Sequence, residues 1–94
     1  MSRERLSARV TGRVQGVGFR WWARRQADEL DLVGWVMNAD DERSVELLAE
    51  GDPEALSELE RRLAEGPPGA RVEHVDARRA AASGEYDSFG IVRS

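Results

Sequence analysis

No cysteine occurs anywhere in the 94 residues, which removes a disulfide framework and any thiolate nucleophile or ligand. Such a chain suits a reducing compartment, and a cytoplasmic location is expected. Histidine occurs once, as His74. A lone imidazole is more often an ordinary surface or core residue than a base. No apolar run exceeds about five residues, far short of the roughly 20 a membrane span needs, and the opening MSRERLSARV holds no apolar signal segment. An excess of positive charge is also missing. The 14 Lys and Arg residues face 18 Asp and Glu, for a formal net charge of -4. Sequence-independent nucleic-acid binding needs a basic surface, so neither a nucleic acid nor a membrane is expected as a partner.

What remains is an ordinary balance for a globular protein, 40% hydrophobic and 34% charged. The length suits a single domain, residues 1–94, built on one core. LSARVTGRV (6–14) alternates, with Leu6, Ala8, Val10, Gly12 and Val14 on one face, which predicts a half-buried strand. From Phe19 the period changes to three or four residues, through Trp22 or Ala23, Ala27 and Leu30, as in an amphipathic helix ending near Asp31. VGWVM (33–37) and SVELLAE (44–50) read as strands joined by the polar turn NADDER, an antiparallel hairpin. Asp52 and Pro53 form a helix start, Leu56, Leu59 and Leu63 its apolar stripe, and Gly66-Pro67-Pro68-Gly69 its stop. ARVEHVDARR (70–79) is a fourth strand. Val72 and Val75 differ in parity there, so a bulge or a late strand start is expected. AAASGEYD reads as loop and SFGIVR (88–93) as a short last strand. The order β-α-β-β-α-β predicts a ferredoxin-like α+β sandwich, with one antiparallel sheet covered on one face by two helices.

The stretch that carries chemistry is GRVQGVGFR (12–20). It is no P-loop, since no lysine followed by Ser or Thr is present, and its glycines do not fit the dinucleotide pattern GxGxxG. A strand-to-helix turn that needs glycine merely to bend remains open on spacing alone. The helix that follows points further. Helix N-termini carry partial positive charge and unpaired N–H groups, so acids are favoured in the first turn. This helix instead opens with Arg20, followed by Arg24 and Arg25, and its first carboxylate is Asp28. Each misplaced cation costs about 0.3–1 kcal/mol, and an external anion would resolve the conflict. Successive N–H groups from Gln15, Gly16, Val17, Gly18, Phe19 and Arg20 can form a concave nest for it. The Arg20 guanidinium can add a planar clamp for phosphate oxygens. Arg24 and Arg25 read as residues of the solvated face.

GRVQGVGFR together with Gly34-Trp35-Val36-Met37-Asn38, continued by VELLAEG, resembles the acylphosphatase family over nearly the whole chain. One departure stands out. The turn after Asn38, ADDERS, is one residue longer than the family pattern and has no glycine, so the hairpin turn must differ. The resemblance implies hydrolysis of acyl phosphates to a carboxylate and inorganic phosphate, without a metal or other cofactor. It implies that Arg20 binds the phosphoryl group and that Asn38 orients the attacking water. Inorganic phosphate is then expected as product and inhibitor, and a monomer as the working form. A non-catalytic phosphate- or carboxylate-binding module on the same scaffold is the alternative. An RNA-binding reading fails, because neither LSARVTGRV nor SVELLAE supplies the exposed aromatics it requires. Asp40, Asp41 and Glu42 read as a solvated turn, Gln15 as a brace of the glycine loop, and Trp21, Trp22 and Trp35 as core or rim packing.

Overall fold

The alternation of the first segment becomes strand β1, Glu4–Arg13, whose Leu6, Ala8 and Val10 are buried while Ser7 on the other face is exposed. The computed structural model describes residues 2–93. After β1 come helix α1 (Phe19–Glu29), strands β2 (Val33–Asn38) and β3 (Ser44–Gly51), helix α2 (Pro53–Glu65), strand β4 (Arg71–Ala81) and strand β5 (Phe89–Ile91). The sheet order is β4-β1-β3-β2-β5. Helix α1 packs over β2 and β5, and α2 over β4 and β1.

Between helices and sheet lies one core. Phe19, Ala23 and Ala27 of α1 and Leu56, Leu59 and Leu63 of α2 meet Leu6, Val10, Val36, Val45 and Leu47 of the strands. Each large apolar side chain buried this way contributes about 1.5–3 kcal/mol. That exceeds the cost of a cation at a helix N-terminus, so the burial of Phe19 holds α1 in place despite Arg20 beside it.

The helix ends refine the expectations. Asp31 stands in the left-handed region at φ 57°, and α1 stops at Glu29, slightly before the end its periodicity suggests. Asp52 takes the extended backbone of an N-cap, with Pro53 following, but its side chain makes no capping hydrogen bond.

Two features of the sheet bear on expectation, the first against it and the second in line with it. First, it is not wholly antiparallel. Strand β5 pairs in parallel with β2, Gly34 opposite Phe89 and Val36 opposite Ile91. The cause is the path of the chain. β4 ends where Ala81 meets Glu4, at the end of the sheet where Val33 opens β2 opposite Glu50. Residues 82–88 run along that end and re-enter the sheet beside β2, pointing the same way. Ala80 and Ala81, expected in the loop, extend β4. Second, the parity break in β4 is a bulge. Thr11 pairs with His74 and Gly12 with Val72, leaving Glu73 unpaired. Gly12 is required there, because a Cβ would stand 2.1 Å from the Arg71 carbonyl oxygen.

The crossing segment is held by one buried charge. Glu50 is 1% exposed. Its carboxylate accepts the N–H groups of Ser83 (2.8 Å) and Gly84 (3.1 Å), the Ser83 hydroxyl (3.0 Å) and Arg5 Nε (2.9 Å). Burial alone would raise its pKa. The Ser83 N–H, Arg5, the Gly84 N–H and the Ser83 hydroxyl together outweigh burial and hold it at about 2, against an ordinary 4.5. A carboxyl with a depressed folded pKa stabilises above its unfolded value, and that contribution disappears as pH falls through the folded one. Glu50→Gln should therefore cost about 3 kcal/mol near neutrality, because it strands the partners of a buried charge. Urea melts of parent and variant should show this gap closing as pH falls from 5 towards 2. A gap that stays constant over that range would show that the charge of Glu50 is not what holds the segment.

Candidate active site

Beyond β1 the chain turns through residues 15–18 into α1. Val14, buried beneath the turn, anchors it to the core. Gly16 and Gly18 have φ of 76° and 78°, where side chains other than glycine are strained. A Cβ on either would meet nothing within 4 Å, so the need for glycine is conformational rather than one of room. Gly18 is the N-cap of α1, which has no side-chain cap and no acid in its first turn. The first helical hydrogen bond runs from Trp22 N–H to Gly18 O, at 3.0 Å. Among the described residues, none of the N–H groups from Gln15 to Trp21 donates to a protein acceptor at ordinary geometry. These donors are thus left unused by the described protein atoms.

Arg20 stands at this bare end. Four arginines are half-buried: Arg5, Arg9, Arg20 and Arg62. Arg5 pairs with Glu50, Arg9 with Asp41 and Glu46, and Arg62 with Glu58 and Glu29. Among the described residues Arg20 alone of the four has neither a carboxylate partner nor a side-chain hydrogen bond. Arg24 and Arg25 are exposed, as expected. Arg24 lies 3.9 Å from Asp28 and its guanidinium sits 5.9 Å from the ring centre of Trp21. Trp22 packs against the core beside Phe19, and Trp35 donates to the Tyr86 hydroxyl on the open face of the sheet. Trp21 departs from the packing role expected of it, being 49% exposed.

Asn38 is the last residue of β2, opposite Val45. It is half-buried. Gln15 brings the loop and this strand end together. Its side-chain amide donates to Ala39 O (3.0 Å) and Ser44 O (2.8 Å), the two carbonyls at the mouth of the hairpin. Gly12 N–H adds a further tie to Arg43 O at 2.9 Å. A groove of about 480 Å³ opens beside Asn38, walled by Arg9, Met37, Asp41 and Glu46.

The glycine-free turn is closed in its own way. Glu42 takes φ 64° without being glycine. Asp41 Oδ1 accepts the N–H groups of Arg43 and Ser44, both at 2.9 Å, and Oδ2 accepts the Ser44 hydroxyl (2.8 Å) and Arg9 Nη2 (2.9 Å). These bonds, the Arg43 N–H foremost, hold the Asp41 carboxyl at about 2, against an ordinary 3.8. Asp41 therefore departs from the reading of a merely solvated turn. Sequence reasoning missed it, although an aspartate in a turn readily accepts the N–H two residues on, here that of Arg43. His74 is exposed on β4. Among the described residues, no three His, Cys, Asp or Glu side chains gather into a metal-binding group.

The family profile described as Acylphosphatase matches residues 6–91. The chain belongs to the acylphosphatase family. It is 50% identical over 90 residues to an acylphosphatase of Salinibacter ruber, covering 96% of this chain and 94% of that one. It is 48% identical over 90 residues to an acylphosphatase of Methylococcus capsulatus, covering 96% and 97%. The crystal structure of the acylphosphatase from Bacillus subtilis superposes with a TM-score of 0.90 at 37% identity, over 95% of this chain and 98% of that one. The reaction is the hydrolysis of an acyl phosphate to a carboxylate and inorganic phosphate, and the ferredoxin-like α+β fold is the one this family uses.

Arg20 stands where the helix dipole disfavours a cation. In phosphate-free buffer Arg20→Ala should leave the protein as stable as the parent or raise stability by about 0.3–1 kcal/mol. Chemical melts would measure this. A loss above about 1 kcal/mol would mean that Arg20 holds the fold together rather than standing unpaired in it.

Proposed function

We propose that the N–H groups of Gln15, Gly16, Val17, Gly18, Phe19 and Arg20, with the Arg20 guanidinium, bind the phosphoryl group, and that Asn38 orients the attacking water. One observation carries this reading. A half-buried arginine that has no counter-charge among the described residues shares a helix N-terminus with a run of unused N–H donors. That arrangement is matched to a tetrahedral dianion.

The chemistry asks for little more. The leaving group is a carboxylate, stable without protonation. The water oxygen forms a bond to phosphorus while the bond from phosphorus to the acyl oxygen breaks, its electron pair leaving with the carboxylate. Charge on the three remaining phosphoryl oxygens is met by fixed N–H dipoles and the guanidinium. The Asn38 amide oxygen accepts one water hydrogen and so aims the lone pair. An amide cannot take the proton, which passes to a phosphoryl oxygen. With these groups supplying the positive charge, no metal is needed. Inorganic phosphate, with the same oxygens, competes for the cradle. A monomer in the cytoplasm is the proposed working form, supported by a site drawn from one chain and by the lack of cysteine.

Arg20→Ala should lose turnover and inhibition by inorganic phosphate together, and Arg20→Lys should fail as well, because an ammonium cannot present the planar fork. A lysine variant with near-parent turnover would sink the clamp. Asn38→Ala should lower kcat by about 10²–10³ while the phosphate inhibition constant stays near the parent value, since the lost contact acts in the transition state. An unchanged kcat would reduce Asn38 to a turn residue. Turnover should survive excess chelator, and loss on chelation with recovery on adding Mg²⁺ would overturn the metal-free scheme.

A further inference from the structure

The bonding around the long turn has an unusual balance. In a regular hairpin the residues at the mouth exchange two backbone hydrogen bonds. Here Ala39 N–H donates to Ser44 O at 2.9 Å, but the return bond is absent. Ser44 N–H goes to Asp41 Oδ1 instead. That leaves the Ala39 carbonyl without its hairpin donor, and Gln15 Nε2 occupies it at 3.0 Å while also reaching Ser44 O at 2.8 Å. Asp41 thus frees the very acceptor that Gln15 uses, and Ala39 adjoins Asn38. Arg9 Nη2 fixes the outer oxygen of Asp41 from β1. The Ser44 hydroxyl, fully buried, bonds both Asp41 Oδ2 (2.8 Å) and Thr11 Oγ1 (3.0 Å).

We propose that Asp41 is a positioning residue for hydrolysis: through the backbone of Ser44 and Ala39 it sets the place of the Asn38 amide relative to the phosphate cradle. Asp41 touches no reacting atom. It does for this glycine-free turn what a tighter turn would do by backbone geometry alone. Gln15 keeps its shorter bond, to Ser44 O at 2.8 Å, so a displacement of Asn38 by a fraction of an ångström misaims the water but leaves the N–H donors and Arg20 where they are. The expected signature is therefore in kcat, not in the affinity for phosphate. The proposal rests on the reading that Asn38 orients the water.

The experiment is a double-mutant cycle on hydrolysis of an aryl acyl phosphate, with inorganic phosphate as the competing probe and thermal melts alongside. Asp41→Ala should lower kcat about tenfold and change the phosphate inhibition constant less than twofold. Asp41→Asn, whose side-chain oxygen still accepts the Arg43 and Ser44 N–H groups, should recover most of kcat. That rescue keeps the test decisive should the alanine variant fold poorly. With Asn38 already replaced by Ala, Asp41→Ala should cost nothing further, because both act on one step. Gln15→Ala should lower kcat and weaken phosphate binding together, since it loosens the cradle as well. Fully additive losses, or failure of Asp41→Asn to recover activity, would overturn the positioning role. If Asn38→Ala alone leaves kcat unchanged, the water-orienting reading falls and the role of Asp41 falls with it. If Asn38→Ala is impaired and Asp41→Ala is not, only the role of Asp41 falls.

Discussion

A guanidinium half out of water, at the positive end of a helix and, among the described residues, without a carboxylate partner, is the constraint on which the rest of this structure turns. Such a group is tolerable only because stronger forces fix its surroundings. Phe19, adjacent in the chain, is 1% exposed and stacks obliquely on Trp22 with ring centres 5.2 Å apart. The first turn of α1 is thereby pinned to the core. The dipole can weaken the binding of that turn but not detach it, since apolar burial outweighs the electrostatic cost severalfold. The free chain therefore carries a pre-formed deficit of negative charge. Under the proposed reading, a phosphoryl group would meet donors already in place, which is the condition under which fixed dipoles favour a transition state most.

That pre-formation depends on distant parts of the chain. The turn from Gln15 to Gly18 has few apolar contacts of its own beyond Val14 and Val17. Its position is set by Gln15 reaching across to the β2–β3 hairpin and by Gly12 joining Arg43. At the opposite end of the sheet Glu50 plays the corresponding part for residues 82–88. The crossing matters to α1, because β5, which the segment delivers, packs under that helix with Phe89 buried. Two carboxylates, Asp41 and Glu50, both held near pKa 2 by donated hydrogen bonds, thus close the two irregular segments that frame the helix.

Much of this was legible in the sequence, for identifiable reasons. The alternation of residues 6–14 and the helical spacing from Phe19 are imposed by burial on one side, and burial is what a pattern of apolar residues records. The bulge in β4 showed itself as a parity break between Val72 and Val75. The loop proposed for the site drew notice because Gly16 and Gly18, found at left-handed φ, and an arginine at a bare helix start depart from local preference, and such departures mark candidate functional positions. What stayed hidden were long-range pairings. Nothing near Glu50 signals that a segment more than 30 residues later will bury it. The alternation of SVELLAE places it with Ser44 and Glu46 on the open face. The parallel direction of β5 was hidden for the same reason, since three residues of strand record neither partner nor direction. Asp41 was underestimated because an exposed acid in a polar turn is ordinarily a solvated one.

The bulge at Glu73 also bears on how the molecule meets copies of itself. β4 is the longest strand and forms a free edge of the sheet, the place where a foreign strand could add. Its ladder is interrupted by an unpaired residue, and Arg71, Glu73, Asp76, Arg78 and Arg79 are all exposed along it. An approaching chain would have to reproduce the irregular spacing and bring its own side chains against charges of both signs. The distortion that lets Gly12 pass close to Arg71 thus also makes this edge a poor template for strand-to-strand aggregation.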